Sequence, residues 1–413
     1  MAPPHETLNE VKQKLNILLL LFLLLVVGTF SLSAQILDAE GQYVDTVFHD
    51  NVDRTAEDFV VASILTLDPI GGVLSPAGHA AIRLQCPVFD LDYVYHYAMV
   101  NTKEGISEQR AFLTGKFYVR MFADTFSTYL KNNQEVGRGI VESPLNLTSK
   151  EEQQLWQLLD EAIENNEKLK YDFVGDGCCS RIKKMVLKVL GAKKIDYSDY
   201  DLRHAESLNK LVAEAISPFP WLRFMMLTAI CGNTSDMLLE EKLLFPKDLV
   251  HVWQKAKVDD KPLLGEAIRL LPNNEYKSNI LIAPLHVAIL LLLLSLITLF
   301  VQHSYFDWMI MSVQVLMACV VLVFSVLTIS FLNWNWLLIP FNLFPILFWK
   351  WRRYWALPYV GVLLLWCIAM LLSPHMLVEM THILFVIAFA LVLLKQSNAK
   401  QFVLFKLSAF IKK

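Results

Sequence analysis

Two adjacent cysteines and a histidine are the residues of this chain best suited to thiol chemistry. Gly177-Cys178-Cys179-Ser180-Arg181 follows Gly78-His79-Ala80 by about a hundred residues. Only a thiolate is a good nucleophile, and a free thiol with a pKa of about 8.5 is mostly protonated at neutral pH. A cysteine at a helix N-terminus is ionised more easily, and a nearby histidine can take its proton. The pattern predicts a nucleophilic cysteine with a histidine base.

The residues around the cysteines predict two helices. Thr148 and Glu151 form a possible capping box, and the stripe that follows indicates an amphipathic helix ending near Asn165. Its apolar residues are Leu155, Leu158, Leu159, Ala162 and Ile163. The stripe of the second helix is Ile182, Met185, Val186, Val189 and Leu190, with Gly191 as a natural stop. Cys178 would therefore lie in the first turn of this helix, and Arg181 would add positive charge there.

The histidine belongs to a different pattern. Residues 80–85 and 93–100 are typical of strands, and His96 lies in the middle of the second. If the two strands pair, His79 and His96 can share one face of the sheet, where His96 would orient the His79 ring. Gly78 would permit a close approach of the backbone before His79.

Composition places this chemistry in a membrane protein. The chain has 413 residues, 55% of them hydrophobic, which is too apolar for a soluble protein of this length. The formal net charge is −3 with mixed signs, and no basic stripe could follow a phosphate backbone. Nucleic acid is therefore not expected as a partner.

The N-terminal residues 1–34 are typical of a signal peptide or an N-terminal anchor. Lys12 and Lys14 precede the apolar run Ile17–Val27, and Ala34 is a small residue at a possible cleavage site. Cleaved or not, this segment would place the residues from Gln35 onward outside the cytoplasm.

Five apolar segments follow the polar region and predict five transmembrane helices. They cover residues 280–302, 308–331, 334–350, 355–373 and 376–395, each near the roughly 20 residues that cross a bilayer. Basic residues cluster in two loops or tails only, at Lys350 to Arg353 and after Lys395. By the positive-inside rule both clusters are cytoplasmic if the polar domain is outside. The expected domains are 35–278 outside the cytoplasm, 279–396 in the membrane and a basic tail, 397–413.

Several motifs together resemble a known family. The order of histidine before cysteine is similar to the permuted papain-like fold of the NlpC and lecithin:retinol acyltransferase groups. More closely, the chain resembles the Lnb lipoprotein N-acyltransferases of Bacteroides and their relatives. The resemblance rests on Gly78-His79-Ala80, Tyr95-His96-Tyr97, Phe112–Phe117, Leu145–Thr148, Asn165–Asp172, the Cys178 motif, and Pro220-Trp221 through Asp236 to Phe245-Pro246. It implies an α+β papain-like extracytoplasmic domain followed by an all-α membrane domain.

The resemblance also implies roles for individual residues. Aligning the family's arginine with Arg181 selects Cys178 as nucleophile, with Gly177 where the family has Asn. His79 would be the base and His96 the group that orients it, and Arg181, Tyr95 and Tyr97 would bind substrate. Cys179 remains an alternative nucleophile, and either cysteine could instead be structural or pair with Cys86 or Cys231 in a disulfide. The metal-binding spacings HxxxH and CxxC are missing here, and no metal or diffusible cofactor is expected.

The implied activity is transfer of an acyl chain from a phospholipid to the α-amine of a diacylated lipoprotein through a cysteine thioester. The enzyme would lie in the bacterial inner membrane with its catalytic domain facing the periplasm. Two other interpretations stay open: a papain-like hydrolase of cell-wall peptides, and a non-catalytic membrane scaffold that binds lipoproteins.

The apolar stretch Pro218–Cys231 is too short to span a bilayer and fits either a core helix or an interfacial helix.

Overall fold

The computed structural model describes residues 53, 55–56, 59–70, 75–99, 118–171, 176–200, 206–231, 236–237, 243–272, 282–300, 305–327, 335–373 and 378–397. The expected signal segment 1–34, the Phe112–Phe117 motif and all of the tail except Ser397 lie outside these residues. The described chain divides into two units. The sheet unit holds the described residues up to Glu206 and those of Met237–Lys277, and the helical unit holds those of Ser207–Asp236 and Ser278–Lys413.

The division has a boundary between Lys277 and Ser278, next to the expected one at residue 278, and one further segment that was not expected. Residues 207–236 group with the C-terminal helices, although they precede part of the sheet unit in the chain. The strands, in chain order, are β1 (Val61–Leu67), β2 (His79–Cys86), β3 (Leu91–Met99), β4 (Tyr118–Thr125), β5 (Ile140–Pro144), β6 (Leu169–Lys170), β7 (Ile195–Asp196), β8 (Glu206–Ser207), β9 (Asp236–Met237), β10 (Lys257–Val258), β11 (Lys261–Pro262) and β12 (Ile268–Leu271). The helices are α1 (Phe126–Glu135), α2 (Ser149–Glu164), α3 (Cys178–Leu190), α4 (Leu208–Ala215), α5 (Pro220–Ile230), α6 (Pro246–Trp253), α7 (Pro284–Phe300), α8 (Tyr305–Leu327), α9 (Phe344–Leu347), α10 (Arg352–Leu372) and α11 (Met380–Gln396).

The sheet unit is built on a seven-stranded antiparallel sheet in the order β12-β5-β1-β2-β3-β4-β6. Side chains alternate between its faces because successive residues of a strand point in opposite directions. Ile82 and Leu84 pack on one face with Leu155 of α2 and Ile182 of α3. Ala81 lies in a second core that includes Tyr129 of α1. Helices therefore cover both faces of the sheet, and the mixed helix-and-sheet class expected for this region is confirmed.

The two helices predicted from the sequence begin and end where expected. Thr148 caps α2 through a capping box, with its amide donating to Glu151 Oε2 at 2.8 Å. Helix α3 begins at Cys178 and ends at Leu190, and Gly191 follows with a φ of 62° that favours glycine. The structure thus confirms Cys178 in the first turn of a helix.

The strand predictions are also confirmed, with small shifts at their ends. Strand β2 begins at His79, one residue earlier than expected, and β3 begins at Leu91 rather than residue 93. The two strands pair with Ala81 opposite His96. The predicted last residue of the second strand, Val100, lies outside the described residues.

The helical unit contains four long apolar helices, α7, α8, α10 and α11. Two stretches of the described residues, Tyr305–Val323 and Trp349–Leu372, are long and apolar enough to cross a membrane, and Pro284–Phe300 and Met380–Gln396 are shorter. The predicted third span, 334–350, is wrong as a continuous helix. Its described part forms three short helical turns, Trp336–Leu338, α9 and Trp349–Trp351. Pro340 and Pro345 lack the N–H that a helix needs, and Asn342 accepts from the Phe344 amide instead.

Polar contacts mark the two ends of the helical unit. At one end, Lys395 and Gln396 of α11 both bind the carboxylate of Asp307 in α8, and Arg352 of α10 donates to Gln396. At the other end, Thr228 of α5 contacts His382 Nε2 at 2.8 Å, and its carbonyl accepts from Asn335 Nδ2. Residues 335–351 therefore run from one end of the helical unit to the other.

Helix α5 contains most of the stretch Pro218–Cys231, whose role the sequence left open. The Phe224 ring stacks on His382 with centroids 4.5 Å apart, and Trp221 Nε1 donates to the Ile282 carbonyl. Both contacts lie within the helical unit. The helix is therefore not part of the core of the sheet unit.

Candidate active site

Cys178 is held between the start of α3 and the start of β2. Its sulfur lies 4.0 Å from that of Cys179, and it interacts with the His79 side chain and the Ala80 backbone amide. The Cys179 side chain has the largest effect, and together with the charge of His79 these contacts lower the pKa of Cys178 well below its usual value against the opposing effect of burial. The arrangement favours a thiolate at Cys178.

The two neighbouring cysteines differ in their surroundings. Their sulfur atoms lie 4.0 Å apart, yet Cys178 is 8% exposed and Cys179 is fully buried. Burial, and then the adjacent Cys178, raise the pKa of Cys179 well above its usual value. All six cysteines of the chain are free thiols, so neither cysteine is in a disulfide. The geometry favours Cys178 as the nucleophile, as the motif register did.

Gly78 sets the position of His79. Its φ is 87°, and a Cβ at this position would lie 2.5 Å from the Leu67 carbonyl oxygen. Leu67 in turn is the β1 partner of His79 in the sheet. The close approach expected at Gly78 is therefore present, and it fixes the backbone from which the His79 ring reaches Cys178.

His96 lies beside His79 on the same face of the sheet, as predicted. The ring centroids are 6.1 Å apart and the rings are nearly perpendicular, at 89°. His96 Nε2 is 2.9 Å from Asp124 Oδ2. Burial lowers the pKa of His96, although Asp124 opposes this shift, and so favours a neutral ring at neutral pH. His96 is placed to support the His79 ring by contact.

Sequence reasoning missed three residues of this cluster, namely Asp124, Tyr129 and Arg138. Asp124 comes from β4, two residues after the partner of His96 on that strand. Tyr129 of α1 is 5% exposed, and its ring centroid is 5.1 Å from that of His96. Arg138 is 8% exposed in the turn between α1 and β5. The carboxylate of Asp124 inside a strand was the one local sign, because Tyr129 and Arg138 join the site only through the fold.

Three residues expected to bind substrate are buried in the sheet unit. Arg181 is 9% exposed, pairs with Asp176, and donates to the Lys170 carbonyl at 3.2 Å. Its guanidinium also lies over the Tyr97 ring, 5.2 Å from the centroid. Tyr95 donates its hydroxyl to Asp160 of α2 at 2.6 Å. The Arg181 contacts tie Asp176 and Lys170 to the start of α3, and a role for the three residues in substrate binding stays a prediction.

A narrow cleft reaches the Cys178 side chain. Its floor is Gly177 and Cys178, and its walls carry mainly apolar side chains. The other lining residues are Pro76, Ala77, Gly78, Tyr171, Leu244, Phe245 and Pro246. Within the described part of the chain, no group of His, Cys, Asp and Glu has the geometry of a metal site.

A comparison with protein families identifies the region that carries this site. Residues 51–207 match the Lnb N-terminal periplasmic domain. The matched segment contains Cys178, His79, His96 and the residues around them. No curated protein and no solved structure matches the chain.

The Lnb match supports the predicted resemblance over residues 51–207. Together with two helices long and apolar enough to cross a membrane, it indicates a membrane protein with a periplasmic domain. The relation to permuted papain-like proteins stays a prediction, because no solved structure matches.

Proposed function

We propose that this protein is a cysteine-dependent lipoprotein N-acyltransferase of the bacterial inner membrane. The observation that carries the proposal is the interaction of Cys178, at the start of α3, with His79, within the segment that matches the Lnb periplasmic domain. A family match of this kind points to lipoprotein biogenesis. The thiol–imidazole pair supplies the chemistry that a transferase of this class needs.

In the first half-reaction, the Cys178 sulfur attacks the carbonyl carbon of a phospholipid acyl ester. A C–S bond forms, the ester C–O bond breaks, and His79 delivers the proton taken from the thiol to the leaving oxygen. A lysophospholipid departs and the acyl chain stays on Cys178 as a thioester. Backbone N–H groups at the start of α3 are suited to stabilise the oxyanion, because Gly177 offers no side chain for this role.

In the second half-reaction, the free α-amine of a diacylglyceryl-cysteine attacks the thioester carbonyl. The C–N amide bond forms, the C–S bond breaks, and His79 transfers the proton from the amine to the Cys178 sulfur. The thiol is regenerated and the lipoprotein becomes triacylated. Transfer of an acyl chain from the lipoprotein's own glyceryl group would use the same steps. Neither route calls for a metal or a diffusible cofactor.

The size of the hydrophobic effect favours a membrane-bound site for this reaction. Moving a sixteen-carbon chain from the bilayer into water would cost on the order of 12 kcal/mol, at about 0.8 kcal/mol per CH₂. A helical unit in the lipid keeps both the acyl donor and the lipoprotein acceptor near the domain that reacts with them. The residues that line the cleft at Cys178 are mostly apolar, which suits the approach of a lipid ester more than that of a charged wall peptide.

The proposal is tested by the intact mass of a reporter lipoprotein from cells that depend on this protein. Replacing Cys178 by alanine is expected to leave the reporter with two acyl chains, because the thioester cannot form. The matched control is Cys179→Ala, which removes the S–H that supports the thiolate and should slow the transfer but still give a triacylated reporter.

Persistence of the third acyl chain with Cys178→Ala would rule out the transferase. Loss of that chain only with Cys179→Ala would mean that the other cysteine is the nucleophile. A change in wall cross-links with an unchanged reporter would instead indicate a peptide hydrolase.

A further inference from the structure

Arg138 is a buried cation that the proposed reaction has not used. It lies between Gly137 and Gly139 in the turn from α1 to β5, and its backbone amide donates to the Asn133 carbonyl at 2.8 Å. Its Nε donates to the Asp68 carbonyl at 2.9 Å. Among the described residues, Arg138 Nη2 is buried without a hydrogen-bond partner. A buried charge is costly unless an opposite charge compensates it, so a nearby anion is expected.

The register of the sheet places this turn at the same end as His79. Leu67, the last residue of β1, is paired with Ile140 of β5 on one side and with His79 of β2 on the other. Neighbouring strands are about 4.8 Å apart, so roughly 10 Å of backbone separates Ile140 from His79. The Arg138 side chain is anchored on Asp68, the residue that follows β1. Its guanidinium is therefore held at the strand end where the Cys178 site is built.

Other acidic groups near this strand end already have partners. The Asp68 carboxylate pairs with Arg269 at 3.1 Å, and the Asp124 carboxylate binds His96. Burial raises the pKa of the Tyr129 hydroxyl, which keeps it neutral, and raises that of the Cys179 thiol. Cys178 and Asp124 are the members of this cluster that can carry a negative charge, and Asp124 already has a hydrogen-bond partner in His96. Burial lowers the pKa of Arg138 to about 10, so its guanidinium is charged at neutral pH, and the charges of Arg138 and Cys178 act on each other.

We propose that Arg138 supplies the fixed positive charge that keeps the Cys178 sulfur ionised in the resting protein. It is a positioning residue, because it acts on the nucleophile and touches no substrate. The inference rests on the proposed role of Cys178 as nucleophile and adds a second source of thiolate stability beside His79. A second cation near the sulfur would favour the pair of thiolate and protonated His79 from which the first half-reaction starts.

The test follows alkylation of Cys178 by iodoacetamide as a function of pH. The full-length protein in detergent micelles is labelled, and the Cys178 peptide is quantified by mass, because only the thiolate reacts. Replacing Arg138 by glutamine should raise the midpoint of this profile by at least about one pH unit. At pH values below both midpoints, Arg138→Gln should be alkylated about tenfold more slowly than the unchanged protein. Arg138→Lys keeps the charge and should keep the midpoint within about half a unit.

Arg269→Gln is the matched control. It removes a cation bound to the same Asp68, but one whose side chain is 47% exposed, and it should leave the Cys178 profile unchanged. An unchanged midpoint in a folded Arg138→Gln variant overturns the inference, and so does an equal shift in the control. If the glutamine variant does not fold, Arg138→Lys decides, since a rise of a full unit with the charge retained would also overturn it.

Alkylation needs no acyl donor or lipoprotein, so this result is independent of acyl transfer. A reporter that stays triacylated with Cys178→Ala would refute the transferase. That result would not change what the alkylation profile of Arg138→Gln shows about the sulfur. A shifted profile would still establish Arg138 as the counter-charge of the sulfur.

Discussion

The adjacent sulfurs of Cys178 and Cys179 show how small differences in position give the two thiols opposite properties. At 4.0 Å they interact too strongly for both to ionise, so one proton is retained by the pair. Cys178 receives the His79 contact and the Ala80 amide, whereas Cys179 is fully buried. The proton therefore stays on Cys179, and its S–H in turn supports the thiolate next to it.

A second acidic group in the sheet unit also has an altered pKa. Glu152 of α2 is 4% exposed, and its Oε1 accepts from the Ala62 amide at 3.2 Å. Burial raises its pKa from 4.5 to about 7. Because the raised pKa belongs to the folded protein, the neutral carboxyl contributes its stability fully below about pH 4.5, and this contribution is lost as the pH rises through about 7.

Replacing Glu152 by glutamine should therefore stabilise the protein at pH 8 and have little effect at pH 5. The ionised carboxyl costs about 3 kcal/mol above pH 7, and removing that cost should raise Tm by several degrees. Thermal unfolding of the two proteins at both pH values measures the difference. Glu151→Gln is the control, and it should lower the stability at pH 8 instead of raising it. The Thr148 amide and Lys193 lower the pKa of Glu151 against the effect of burial, so its charge is favourable in the folded protein. An equal gain at both pH values would contradict the role assigned to the Glu152 charge.

At the scale of elements, the site depends on three strand ends that meet in register. The start of β5, the end of β1 and the start of β2 are aligned through Ile140, Leu67 and His79. Helix α3 packs against β2 and brings its first turn to the same place. The base and the nucleophile thus come from two rigid elements, and only the turn at Gly78 adjusts the distance between them.

Gly78→Ala is expected to damage the site more than its small change in volume suggests. The new Cβ would lie 2.5 Å from a backbone oxygen in a conformation with positive φ, so the start of β2 must move and His79 with it. N-acylation of the reporter should fall at least about tenfold, because a displacement of about 1 Å in a catalytic group can cost a hundredfold.

Gly191→Ala is the matched comparison for this variant. Gly191 also has a positive φ, at the end of α3, but a Cβ there meets no atom within 4 Å. It should cost about 1 kcal/mol of stability and leave N-acylation intact. Equal losses of activity in both variants would show that general destabilisation, and not the position of His79, is responsible.

At the scale of the whole molecule, the number of membrane crossings depends on residues 335–351. Four long helices alone would return the chain to the side from which it entered the membrane. The broken segment joins the end of the helical unit at His382 to the end at Arg352 and Lys395, so we expect it to add a fifth crossing. The positive-inside rule would then place the basic residues on the cytoplasmic side.

A fluorescent protein fused to the C-terminus should therefore fluoresce, and alkaline phosphatase fused there should be inactive. The first folds in the cytoplasm and the second needs the periplasm. The control is a phosphatase fusion ending at Pro272, after the sheet unit, which should be active. An active phosphatase at the C-terminus would mean that residues 335–351 do not cross, and the proposed topology would be wrong.

Much of this architecture was predictable because it depends on neighbouring residues. The capping box at Thr148, the stop at Gly191 and the strand around His96 are local patterns, and the structure confirms them. The broken segment also has a local cause in Pro340 and Pro345. The uniform apolar composition of that stretch concealed it, since hydropathy alone does not detect a break in a helix.

By itself the sequence predicted the mixed helix-and-sheet class of the first region, a pairing of His79 with Cys178, and the position of that cysteine at the start of a helix. Only the tertiary structure decided that Asp124 binds His96, that Arg138 lies buried at the strand end of His79, and that residues 207–236 belong with the C-terminal helices. The physical reason is how far apart in the chain the interacting residues lie. Caps, strand alternation and apolar stripes follow from residues within a few positions of one another, whereas the charge balance around a buried sulfur depends on strand pairing between residues far apart in the chain.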